Sequence, residues 1–176
     1  FTHEHFISNS LAIISCLKSM SLKTNYIKNY SKVNLTNGRG NIIKTKIGNQ
    51  NVHILDHSYN ASPESFRSTL TSFNNYEHKK KIYIIGEMFE LGKKSYFYHQ
   101  AVFKFIKSFN PEYFFLIGKQ FKFFKDMKID NKYSFFENVE DLIKKFNYDI
   151  CSNSIIYIKG SNAVGLNKFI NHLKKI

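Results

Sequence analysis

Residues 53–67 read HILDHSYNASPESFR, an apolar run that stops at Asp56, His57, Ser58, Tyr59 and Asn60 before Ser62-Pro63-Glu64 opens a helix. A carboxylate, an imidazole, a phenol and an amide crowded between a strand end and a helix N-terminus suit an anion or a nucleotide. Other polar segments share that placement. GEMFELG (86–92) supplies the carboxylates of Glu87 and Glu90, GKQ (118–120) a short polar turn, and KGSNAVG (159–165) the cation of Lys159 and the hydroxyl of Ser161. Arg39, in TNGRG, offers a planar donor fork of the kind that matches phosphate. His3-Glu4-His5 is not a metal site on this reading, because residues two apart do not share a helix face.

The elements that must carry these groups are legible from periodicity. Apolar residues at helical spacing (Ile7, Leu11, Ile14, Leu17) predict a helix over 6–20, followed by a short one over 26–30. The turn at 36–40 is the strongest boundary signal. Strands are expected over 42–47 and 52–55, joined by a hairpin turn at 48–51, and then over 81–85, 113–117, 133–136 and 155–158. Helices are expected over 63–73, with Ser62 as N-cap and Pro63 at the first position, over 95–109, after Asn138, and over 165–174. Strands alternating with helices predict an α/β fold, a mostly parallel sheet with helices on both faces. In such a sheet ligands sit beyond the carboxyl ends of the strands, where the polar segments fall. Loops of this kind are often polar for solubility alone, which accounts for Gly118 better than for Glu87, Glu90, Lys159 or the run from Asp56 to Asn60.

Composition sets the outer limits. The chain has 176 residues, 43% of them hydrophobic, enough for one domain with a core, or one domain and part of another. No apolar run approaches the ~18 residues of a membrane span, and the start lacks the order of a signal peptide and an initiator Met. Cys16 and Cys151 fit no paired motif and read as reduced thiols in a cytoplasmic protein. The net charge of +13 invites nucleic acid. All but two of the 26 basic residues are Lys, however, in a chain dominated by Lys, Asn, Ile, Phe and Tyr, so codon bias explains the excess. FKFFKDMK is read as aromatics packing inward with Lys in solvent rather than as a stacking surface.

Taken in order, four segments resemble the Mur ligase family. HFISNSLAI is similar to its His-Asn-x-x-Asn-Ala-Leu-Ala helix, DHSYNASP to its Asp-Asp-Ser-Tyr-Asn-Ala-Asn-Pro loop, GEMFELG with His99 after it to its Gly-Asp-Met-x-Glu-Leu-Gly…His segment, and KGSNAVGL to its Lys-Gly-Ser-Arg loop. The branch most resembled adds D-alanyl-D-alanine to UDP-N-acetylmuramoyl-tripeptide in peptidoglycan precursor synthesis. The resemblance implies that residues 1–37 end a central ATP-binding domain and that 38–176 form a C-terminal Rossmann-like domain. It implies ATP and Mg2+ as cofactors and an acyl phosphate that the dipeptide amine attacks; a carboxylate needs such activation before it can acylate, and the phosphate charge must be neutralised.

Carried over by position, the resemblance assigns His5, Asn9, Arg39, Asp56 and His57 to the nucleotide, and Tyr59, Asn60, Lys159 and Ser161 to the cleft; Glu87 and Glu90 are read as cleft acids, the alternative being acids that steady a helix dipole or the loop. Phe6 stands where the family has a second Asn, His57 where it has a second Asp, and Asn162 where it has an Arg. An imidazole bonds one ribose hydroxyl where a carboxylate can accept two. No G-x-x-x-x-G-K-[ST] loop occurs in the chain. The phosphate-binding loop, the metal ligands, the catalytic residues and the UDP-binding domain are therefore expected before Phe1, in cis or in trans, and the fragment alone is expected to be inactive. Two other classes fit parts of the sequence. A non-catalytic nucleotide- or partner-binding module accords with the departures at Phe6, His57 and Asn162. A basic nucleic-acid-binding domain would show affinity that falls steeply with salt.

Overall fold

The structure is a computed structural model and describes residues 4–25, 36–77, 80–124 and 133–176. The chain divides into two compact units, Phe1–Leu35 and Thr36–Ile176. The first contains helix α1 (Glu4–Ser19), with Lys18 in its last turn, where a cation complements the helix dipole. Ile7 and Leu11 lie 53% and 58% exposed, so part of the apolar stripe read from the sequence is not covered. The expected helix at 26–30 lies outside the described residues.

The second unit is built on one sheet. Its strands are β1 (Asn41–Ile47), β2 (Gln50–His57), β3 (Lys80–Gly86), β4 (Tyr113–Ile117), β5 (Tyr133–Phe136) and β6 (Ser154–Lys159). Their order across the sheet is β1-β2-β6-β3-β4-β5. Among the described strands only the β1–β2 hairpin is antiparallel; the other pairings are parallel. The last strand of the chain is thus inserted between β2 and β3, each of which pairs with it along its length. Its six residues are all buried, as expected of a central strand apolar on both faces.

Helices α2 (Pro63–Asn74), α3 (Ser95–Lys107), α4 (Val139–Lys145) and α5 (Leu166–Leu173) cover the sheet. One core joins Phe66, Leu70 and Phe73 of α2 and Val102, Phe103 and Ile106 of α3 to Leu55, Tyr83, Ile85 and Tyr157 of the sheet. A second joins Leu142 of α4 and Phe169, Ile170 and Leu173 of α5 to Ile54, Ile84, Ile117 and Ile158. Alternate residues of each strand feed opposite cores, which is the period of two that a strand imposes. The result is the Rossmann-like α/β fold expected from the sequence.

Capping agrees closely with the sequence. The Ser62 hydroxyl accepts from Ser65 N and the Ser65 hydroxyl accepts from Ser62 N, a reciprocal box closed by Ser rather than the usual Glu. Asn138 caps α4 by accepting from Asp141 N at 2.8 Å. The hairpin turn is tighter than expected. It occupies Gly48 and Asn49, with Gly48 at φ 55, and Gln50 and Asn51 pair with Ile47 and Lys46. At the other end β2 continues through Asp56 and His57, which pair with Ile158 and Lys159. The first two residues of the polar run are therefore strand, not loop. In the FKFFKDMK stretch, Phe121 is buried and Lys122 exposed within a 3-10 turn (Lys119–Phe124), and residues 125–132 lie outside the described residues.

Candidate functional site

The parallel strands β2, β6 and β3 deliver their carboxyl ends side by side, and the loops that leave them are bonded to one another. Ser161 N donates to the Glu87 carbonyl at 3.0 Å, and Phe89 N donates back to the Ser161 hydroxyl at 3.0 Å. Lys159 Nζ donates to the Asn60 carbonyl at 2.9 Å. The KGSNAVG loop of the central strand thus ties GEMFELG on one side to DHSYNAS on the other. The approach depends on two glycines. A Cβ on Gly160 would stand 2.8 Å from the Gly86 Cα, and one on Gly86 would stand 3.2 Å from the Gly160 Cα, so side chains would part the two strand ends.

Within DHSYNAS the groups differ in exposure. Asp56 and His57 are each only 5% exposed. Asp56 Oδ1 accepts from Ser58 N at 3.0 Å and from the Ser58 hydroxyl at 2.6 Å, an Asx turn that shapes the loop. The His57 ring tilts against Tyr157 with centroids 5.6 Å apart. Tyr59 and Asn60 are exposed. Arg39 is exposed too, and its guanidinium lies 4.3 Å from the centre of the Tyr59 ring, a cation–π contact. The backbone keeps that pair together: Tyr59 N donates to the Gly38 carbonyl at 3.1 Å and Gly40 N to the Asp56 carbonyl at 2.7 Å. Gly38, at φ 81, packs so closely that a Cβ would fall 2.7 Å from Tyr59 N.

Lys159 is 3% exposed, with its ammonium 5.3 Å from the Phe66 ring centre. Burial lowers its pKa to about 8. Ser161 is buried at 8%. Glu87 is half-buried, and its Oε2 accepts from Gln120 N at 2.9 Å, so its carboxylate bridges the loops after β3 and β4. Glu90 is exposed and holds φ 64, a left-handed conformation uncommon for a non-glycine residue. His5 and Asn9 lie on α1 of the first unit, with Asn9 exposed.

The structure thus brings Arg39, Asp56, His57, Tyr59, Asn60, Glu87, Glu90, Lys159 and Ser161 to one edge of the sheet. Arg39, Tyr59, Asn60 and Glu90 present themselves to solvent there, while Asp56, His57, Lys159 and Ser161 lie beneath. The sequence reading missed Gly86, Gly160 and Gln120; glycines directly at two strand ends were the available signal. Among the described residues no group of three or more His, Cys, Asp or Glu is placed to hold a metal ion. No described helix is long and apolar enough to cross a membrane.

Comparison with known proteins bears on the same residues. Residues 38–162 match the family model described as Mur ligase, glutamate ligase domain. The chain is 34% identical over 178 residues to the UDP-N-acetylmuramoyl-tripeptide--D-alanyl-D-alanine ligase of Rickettsia prowazekii, covering 98% of this chain and 38% of that protein. It is 29% identical to the ligase of the same name from Buchnera aphidicola, covering 97% of this chain and 36% of the relative. The chain therefore spans little more than a third of the length of these curated relatives. Among solved structures, MurF from Acinetobacter baumannii superposes with a TM-score of 0.81 at 19% identity, over 100% of this chain and 38% of that one. MurF ligase from Thermotoga maritima, solved in complex with ADP, gives 0.75 at 19% identity, over 99% and 39%. These structures share the fold, and the sequence matches, which run through the same loops, establish that the chain belongs to the Mur ligase family.

Proposed function

We propose that the chain is the C-terminal portion of an ATP-dependent ligase that adds D-alanyl-D-alanine to UDP-N-acetylmuramoyl-tripeptide through an acyl phosphate. The observation that carries this reading is the convergence of DHSYNAS, GEMFELG and KGSNAVG at one sheet edge, in a chain 34% identical to such a ligase along 98% of its length. On this reading residues 1–37 end the central ATP-binding domain, and the uncovered Ile7 and Leu11 of α1 suit a helix that belongs to a larger body. Residues 38–176 are the domain that closes over the nucleotide, and the protein works in the cytoplasm.

The residues fit that role unevenly. Arg39 offers its fork to a phosphate, steadied by the Tyr59 ring. Asn60 and Glu90 face the tripeptide and the dipeptide, whose ammonium a carboxylate can hold. Lys159 and Ser161 set the loop positions, Lys159 through the Asn60 carbonyl. Mg2+ would neutralise phosphate charge in the complete enzyme, but the described residues form no metal centre of their own. Lacking a G-x-x-x-x-G-K-[ST] loop, the 176 residues alone should give no ligation product when supplied with ATP and both substrates. Product from the isolated chain would overturn that expectation.

The burial of Asp56 and His57, both assigned to the nucleotide by resemblance, favours a second reading, a partner-binding module without the reaction. An ADP titration bears on this choice. In a chain completed with the other ligase domains, ADP binding that weakens on Arg39→Ala supports a nucleotide site to which this chain contributes; ADP affinity indifferent to that change supports a pure interaction module.

A further inference from the structure

His99 sits inside α3 with 0% of its surface exposed, and no part of the proposed reaction uses it. Its Nδ1 lies 2.7 Å from the Ser95 carbonyl oxygen, which can only accept, so Nδ1 carries the hydrogen. Nε2 is then a bare acceptor, and it lies 2.8 Å from Met88 N. The ring is fixed edge-on against Phe121, with centroids 4.8 Å apart at 80°. Ser95 is itself braced, its hydroxyl donating to Gln120 Oε1 at 2.9 Å. Gln120 N in turn donates to the Glu87 carboxylate. Consecutive residues of the loop after β3 are thereby gripped: Glu87 by Gln120 and Ser161, Met88 by His99, and Phe89 by Ser161. Glu90 comes next at φ 64, beyond the last clamp.

We propose that His99 is a positioning residue which, in its neutral Nδ1–H form, holds the 87–91 loop by accepting the Met88 amide hydrogen and so sets where Glu90 is presented. The clamp itself stands on the geometry; what the held loop contributes to ligation rests on the proposed ligase function. A second proton on the ring would set an Nε2–H against the Met88 N–H, two donors facing each other. Among the described residues, the groups bonded to the ring or stacked on it are uncharged: Ser95 on α3, Met88 in the loop and Phe121 after β4. The adjacent acid, Glu87, directs its carboxylate to Gln120 N. Burial lowers the His99 pKa and the Ser95 carbonyl raises it in part, so the neutral form persists at neutral pH.

The test is 15N NMR of the 176-residue chain combined with amide hydrogen exchange. At neutral pH the His99 Nε2 resonance is expected to be that of an unprotonated acceptor, with Nδ1 protonated. As acid protonates the ring, the Met88 protection factor should fall at least tenfold while that of Ile84, in the core of β3, holds. His99→Gln, whose side-chain oxygen can accept, should keep more of that protection than His99→Phe. If the Phe variant does not fold, the pH series on the unaltered chain still decides. An Nε2–H tautomer, or Met88 protection that tracks Ile84 at every pH, would overturn the proposal.

Discussion

Asp56 shows how far residue type leads. Its carboxylate, beside a ribose-binding position by resemblance, instead holds both the amide and the hydroxyl of Ser58 while 5% exposed. Removing it leaves two buried donors without an acceptor, so Asp56→Ala should lower the unfolding free energy by about 1–3 kcal/mol, read from urea denaturation. The spacing Asp-x-Ser carries an Asx-turn signal, but burial was not legible, because it depends on the pairing of β2 with β6, which lies far along the chain. Lys159 allows a second prediction at this scale. With its pKa lowered to about 8, the folded chain releases that proton before the unfolded chain, whose lysine titrates near ~10.4. Between those values the unfolded state binds more protons, so stability rises with pH. Relative to Lys159→Met, the wild-type chain should gain about 1 kcal/mol per pH unit across that window in denaturant titrations. A flat difference would show that Lys159 is solvated.

At the scale of elements, the site is a consequence of strand order. Because β6 enters between β2 and β3, KGSNAVG ties together the loops after those strands, and Gly86 faces Gly160 at the junction. Gly160→Ala sets a methyl 2.8 Å from backbone that cannot yield without moving a strand end. It should cost about 1–3 kcal/mol as an overpacking change and raise the exchange of the Phe89 amide. Unchanged stability would mean that the junction is looser than its contacts imply. The alternation of strands and helices, the Ser62-Pro63 start of α2 and the Asn138 cap were all legible, since each is decided by residues near in sequence. The ends of β2 were not. Polar residues extend a strand when neighbouring strands supply ladder partners, and the β6 partners lie far along the chain. The clamp of Met88 by His99 was partly legible: the motif named His99, but its spacing could not show whether the ring points into the core or out of it.

For the whole molecule, the Rossmann-like unit presents one edge of chemically varied loops, while α1 belongs to a separate unit. The family and the fold class were legible because several motifs occur in a fixed order; the working state was not, because the chain spans only 38% of the Rickettsia prowazekii relative. The decisive experiment is a chimera in which this chain replaces the corresponding C-terminal segment of that ligase, assayed for ATP-dependent joining of D-alanyl-D-alanine to UDP-N-acetylmuramoyl-tripeptide. Product well above that of the truncated host without the segment is expected, and none from the chain alone. A chimera that folds, as shown by a cooperative melt, yet makes no more product than the truncated host would contradict it.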